Sequence, residues 1–154
     1  MEWQELINKF ELEQQVASDI IRLAELSKLL NLKYKISLER LYNFIRNYID
    51  KHGSLFHADL NWIDTSEIYT MENLFYNSWF DGDISKWDVG KVKYMDGMFS
   101  SSWFKGDISN WDVSNVESMR GMFQYTSFNN DISKWNVSKC RDFENMFMND
   151  TIFC

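Results

Sequence analysis

Proline is absent from this chain of 154 residues, which argues against Pro-rich linkers. Cysteine occurs only as Cys140 and Cys154, too few for a disulfide framework, and the simplest setting is a reducing cytoplasm. Histidine is equally scarce: His52 and His57 stand near one another with no matching nucleophile. No phosphate-binding glycine loop, G-x-S-x-G elbow, dinucleotide fingerprint or metal-spaced Cys/His set occurs. The expectation is a non-enzymatic protein with no catalytic residue, no cofactor and no metal. No apolar run approaches the roughly 18 residues of a membrane span. The start, Met1-Glu2-Trp3-Gln4-Glu5, is acidic and unlike a signal peptide, so the expected location is cytoplasmic and no membrane partner is expected. A basic excess is missing too. With 16 Lys and Arg against 23 Asp and Glu the formal charge is −7, which disfavours contact with phosphate backbones. Direct nucleic-acid binding is not expected; acidic mimicry of nucleic acid is the inversion that the charge allows.

What the chain holds in excess is aromatic residues: 12 Phe, 7 Trp and 7 Tyr. Their spacing is regular. Trp87, Trp111 and Trp135 are 24 apart, as are Phe75, Phe99, Phe123 and Phe147, and so are Asp59, Asp83, Asp107 and Asp131. Four units follow: 56–79, 80–103, 104–127 and 128–151. The middle two, FDGDISKWDVGKVKYMDGMFSSSW and FKGDISNWDVSNVESMRGMFQYTS, agree at 13 of 24 positions. A repeat of this length is a supersecondary unit that buries its apolar face only against its neighbours. Within a unit, Ile84-Ser85-Lys86-Trp87-Asp88-Val89 has strand character. The apolar spacing of Val92, Met95, Met98 and Phe99 predicts one or two turns of helix or 3₁₀ helix. The expected class is therefore α/β: a short solenoid of four 24-residue repeats with a narrow parallel sheet.

The pattern F-x-G-D-I-S-x-W-D-V-S-x-V-x-x-M-x-G-M-F resembles the BspA-like leucine-rich repeat, found in tandem arrays of bacterial surface proteins and mycoplasma lipoproteins. The resemblance covers residues 56–154. It implies a leucine-rich-repeat-like solenoid used for protein binding.

Residues 1–55 form a second unit, expected to be an N-terminal helical cap on the first repeat. Trp3, Leu6, Ile7 and Phe10 have helical spacing, as do Leu38, Leu41, Phe44, Ile45, Tyr48 and Ile49 behind an N-cap at Ser37. Asn31–Ile36 reads as a connection. This unit has 8 acids and 8 bases, whereas residues 56–154 have 15 acids and 8 bases, so the whole excess lies on the repeats.

Stacked repeats turn each repeated residue into a column. Asp59, Asp83, Asp107 and Asp131 form one, and Asp64, Asp88, Asp112 and Asn136 another. A calcium ladder is one reading. The other is that each side chain accepts a backbone N–H in its own turn, which an amide at Asn136 does as well as a carboxylate. The Trp87, Trp111 and Trp135 column reads as core rather than as a sugar-stacking platform. Met71, Met95, Met98, Met119, Met122 and Met146 read as core, and Cys140, at the position of Val92 and Val116, as a small apolar core residue.

Positions that break the repeat are more informative. Trp79 and Trp103 occupy a position held elsewhere by Leu55, Ser127 and Thr151, so it is not deep core. Tyr76, Tyr94 and Tyr125 also occupy positions that vary from polar to aromatic. With Asp81, Asp96 and Asp150 they are the candidate binding residues, aromatic anchors in an acidic field. Half-burial of the two tryptophans against a neighbouring loop is the structural alternative. The last repeat is expected to present an edge carrying Val137, Ile152 and Phe153, which a second copy would cover in a homodimer or a target protein would cover instead. The expected function is an inhibitor or adaptor that occupies a surface of a cytoplasmic protein, including nucleic-acid-handling machinery of the kind that phage anti-CRISPR proteins block. A bacterial surface-repeat fragment binding host protein or glycan is the alternative.

Overall fold

The structure, a computed structural model of the chain, describes residues 34–35, 43 and 57–149. Four 24-residue units lie one upon another, and the backbone bonds that join them are mostly set 23 or 24 residues apart. Met71, Asn73, Phe75 and Asn77 donate their N–H groups to the carbonyls of Tyr94, Asp96, Met98 and Ser100 at 2.8–2.9 Å. Met95, Gly97, Phe99 and Ser101 do the same to Ser118, Arg120, Met122 and Gln124. The next unit repeats the ladder onto Asp142, Glu144, Met146 and Met148.

The residues between these donors bond within their own unit. Met98 N–H donates to Met95 O, Ser100 N–H to Gly97 O and Ser102 N–H to Phe99 O, each three residues back. The segment is thus a run of linked turns. A right-handed helix is interrupted because two positions in each of the first three units, and one in the fourth, take positive φ. One column holds Asn73, Gly97, Gly121 and Asn145 at 54–61°; the other holds Asn77, Ser101 and Tyr125 at 53–57°. Asparagine and glycine tolerate that region best, which accounts for most of these identities.

The expected architecture is accordingly corrected. Residues 57–149 contain no helical residue and a single strand, so the α/β solenoid with a parallel sheet does not hold. The strand is β2 (Ile63–Asp64), and its parallel partner is β1 (Tyr34–Lys35), within the segment read from sequence as a connection. Elsewhere the units meet through single bridges, Asp59↔Asp83 and the series Thr70↔Tyr94↔Ser118↔Asp142. Ile84–Val89 does not extend into a strand because tight turns close on both sides, Trp87 N–H to Ile84 O and Val92 N–H to Val89 O. Of residues 1–55, where a helical cap is expected, Tyr34, Lys35 and Asn43 are described: the first two form β1, Asn43 is helical, and the rest of that expectation lies outside the described residues.

The core is a bundle of columns. Phe75, Phe99, Phe123 and Phe147 stack with ring centroids 5.5, 5.7 and 5.5 Å apart, and Phe80, Phe104 and Phe128 at 6.2 Å. Met71, Met95, Met98, Met119 and Met122 are fully buried beside them. Burying one such side chain is worth about 1.5–3 kcal/mol, and the stack obtains that repeatedly because the inner rings, Phe99, Phe123 and Phe104, are covered from both sides by their counterparts. Gly82 belongs to this packing. A Cβ there would collide with the Ala58 carbonyl and the Phe80 ring.

Candidate functional site

The aspartate columns are turn caps. Oδ1 of Asp83, Asp107 and Asp131 accepts the N–H of Ser85, Ser109 and Ser133 at 2.8–2.9 Å. Asp88 and Asp112 hold Gly90 and Ser114 in the same way, and Asn136 holds Ser138 with its amide oxygen. At Asp83, Asp107, Asp112 and Asp131 these bonds favour the ionised form. The backbone N–H of Ser109 lowers Asp107, that of Ser133 lowers Asp131, and the Ser114 hydroxyl together with its N–H lowers Asp112. At Asp83 partial burial pushes upward, but hydrogen bonds from Asn61 and Ser85 outweigh it and the pKa falls. Among the described residues no three His, Cys, Asp or Glu side chains are placed to hold a metal ion.

Trp87, Trp111 and Trp135 are buried, and each indole N–H donates to a carbonyl of the preceding unit: Leu60 at 2.9 Å, Ile84 at 3.2 Å and Ile108 at 3.1 Å. This column ties units together and offers no ring face to a ligand. Cys140 is half-buried against the core, and burial pushes its thiol pKa up, away from a reactive thiolate.

Trp79 and Trp103 are different. Ser78 and Ser102 are buried, and their hydroxyls accept the N–H of Phe80 and Phe104 two residues on. Held between a buried serine and a buried phenylalanine, residues 79 and 103 are directed outward. They are 61% and 58% exposed, and their rings stack at 6.0 Å with planes 21° apart. Tyr76, Tyr125 and Tyr94 are exposed as well.

The candidate acids divide. Asp81 is half-buried, and its Oδ1 accepts the Lys105 N–H at 2.7 Å while its carbonyl meets His57 Nδ1 at 3.2 Å. Asp96 is half-buried and bonds the Arg120 N–H at 2.8 Å together with the Ser118 hydroxyl. Both connect one unit to the next. Asp150, Ile152 and Phe153 lie outside the described residues. Val137 is exposed near Phe143, Phe147 and Met148 in sequence, all exposed too.

The structure brings Trp79, Trp103 and Asp81 to one face and does not gather the tyrosines there: Tyr94 stands on the bridge series, whereas Tyr76 and Tyr125 lie in the linked turns. Sequence reasoning missed Tyr69, 59% exposed; its repeat counterparts Lys93, Glu117 and Arg141 carry the signal that the column faces water. It also missed Phe147, 54% exposed although Phe75, Phe99 and Phe123 are buried.

Elsewhere charges pair between units: Lys91 with Glu67 at 2.8 Å, Lys93 with Glu117 at 2.9 Å and Arg120 with Glu144 at 3.1 Å. No helix among the described residues is long and apolar enough to cross a membrane. Residues 43–154 match the model of a family described as Mycoplasma protein of unknown function, DUF285. No curated protein and no solved structure matches the chain.

Proposed function

The chain belongs to the DUF285 family of Mycoplasma proteins of unknown function, and on that footing we propose that it is a non-enzymatic protein-binding module of BspA-like character. One observation carries the reading: apart from Phe147 in the last unit, the repeated phenylalanines and tryptophans lie in the core, whereas the aromatics that break the repeat, Trp79, Trp103, Tyr76, Tyr94 and Tyr125, are 37–61% exposed. Large exposed aromatics contribute little to folding and much to association, where Trp and Tyr dominate binding energy. The module acts by occupying a surface of another protein. A reducing cytoplasm suits its two cysteines, and a basic, nucleic-acid-handling target of the kind blocked by anti-CRISPR inhibitors suits an acid excess confined to the repeats.

Affinity capture from bacterial lysate tests the proposal by comparing the native protein with a Trp79→Ala, Trp103→Ala variant. A protein retained by the native chain is lost with the variant. Identical capture by both, or capture by neither, refutes the role of these aromatics.

A further inference from the structure

We infer that the face bearing Trp79 and Trp103 receives an extended, arginine- or lysine-rich segment of a protein partner, whose apolar stems lie on the indoles while its cationic heads meet the neighbouring aspartates. The inference rests on the interaction reading above and adds the face and the partner's chemistry.

Burial alternates along the chain at this face. Phe80, Gly82 and Ile84 are buried, whereas Trp79 and Asp83 are exposed and Asp81 is half-exposed. The next unit repeats this with Phe104 and Ile108 buried and Trp103, Lys105 and Asp107 exposed. Alternation places residues 79, 81 and 83 on one side, with 103, 105 and 107 beside them. Residues two apart on an extended chain are roughly 6.6 Å apart, within the reach of a Lys or Arg side chain lying along the surface.

Two properties of the face select the partner. The first is charge. Asp59, Asp81, Asp83, Asp107 and Asp131 stand against Lys105 on the face, and Lys86 and Lys134 approach from the next outward column. The acids still exceed the bases, whereas the ion pairs of the linked turns neutralise the surface there. The carboxylates are held by turn N–H groups before any partner arrives, so binding requires little reordering of them. The second property is the juxtaposition of those carboxylates with two exposed indoles. Long basic side chains match it, because they carry an apolar stem and a charged end. A purely apolar segment would strip water from the aspartates without replacing it. The two indoles stack on one another instead of lying side by side, so they present no flat platform for a sugar ring.

A dye-labelled arginine octapeptide, followed by anisotropy at physiological ionic strength with a glutamate octapeptide as control, tests the assignment on the intact chain. Two paired variants separate the site from general electrostatics. Asp83→Asn with Asp107→Asn removes two charges on the face, and Asp88→Asn with Asp112→Asn removes two from the other column. Both pairs keep a turn-capping oxygen, as Asn136 does naturally. The face pair weakens arginine-peptide binding about tenfold and the control pair by about twofold or less, since screening suppresses distant charges. Trp79→Ala with Trp103→Ala weakens it about tenfold or more. In the native protein, bound peptide reduces acrylamide quenching of the exposed indoles. Equal losses in the two aspartate pairs, an unaffected tryptophan variant, or no peptide binding overturns the assignment. Should capture from lysate depend on the tryptophans while the arginine peptide does not bind, the interaction reading stands and this inference falls; if both fail, both fall.

Discussion

Truncating one phenylalanine at different heights of the same column measures how the stack holds together. Phe99 is fully buried, with ring contacts to Phe104 at 4.2 Å, Phe75 at 5.5 Å, Phe123 at 5.7 Å and Trp111 at 6.3 Å. Phe147 is 54% exposed, with Phe123 at 5.5 Å. Phe99→Ala removes a fully buried ring and leaves a cavity walled by flat aromatic faces that cannot close over it. The cost is about 3–5 kcal/mol, at the upper end because several ring pairs are lost together. Phe147→Ala gives up about half of one ring's transfer free energy, about 1 kcal/mol. Urea unfolding followed by near-ultraviolet circular dichroism is the assay. With a slope of about 2 kcal/mol per molar, the midpoint falls by about 2 M for Phe99→Ala and by about 0.5 M for Phe147→Ala. Phe99→Leu, which retains part of the packing, falls between them and serves if the alanine variant does not fold. Equal shifts at the two positions would refute the stacked arrangement, because they would mean that coverage by neighbouring units does not set the environment of the ring.

Other outcomes follow from local geometry. Gly82→Ala destabilises by about 1–3 kcal/mol because its Cβ meets the Ala58 carbonyl and the Phe80 ring, whereas Gly90→Ala, whose Cβ meets only side-chain oxygens, Asp88 at 3.2 Å and Asp112 at 3.8 Å, is close to neutral in thermal melting. Tyr125 holds φ at 56° in a column where Asn77 stands two members earlier; Tyr125→Asn relieves about 1 kcal/mol of strain and raises the melting temperature, and a lowered one would contradict the left-handed assignment. Asp107, Asp112 and Asp131 titrate below the ordinary carboxylate value of about 3.9. As pH falls through that value the unfolded chain binds protons before the folded one, so stability is steady above about pH 5 and declines below about pH 4. A melting temperature that holds or rises between pH 4 and pH 3 would contradict these turn bonds.

Much of this was decided by the order of residues alone. The 24-residue step follows from identities at fixed spacing, and a step with apolar columns has one economical solution, the burial of each column against its copies. The turn-capping role of the aspartates was legible because Asn136 conserves the acceptor and not the charge. That Trp79 and Trp103 lie outside the deep core was legible because the same position holds Ser127; their exposure, against half-burial under a neighbouring loop, was decided by the fold. The element type was not. Met95, Met98 and Phe99 have the spacing of a helical face, and linked turns produce the same spacing; the difference lies in the sign of φ at Gly97 and Ser101, which apolar periodicity does not encode. Glycine and serine at those positions permit the left-handed region without requiring it. Nor does the order of residues show that Tyr34–Lys35 pairs with Ile63–Asp64, or that Asp81 and Asp96 reach N–H groups 24 residues away. Those choices depend on which backbone donors still lack a partner once the units have stacked, and only the assembled tertiary structure settles that.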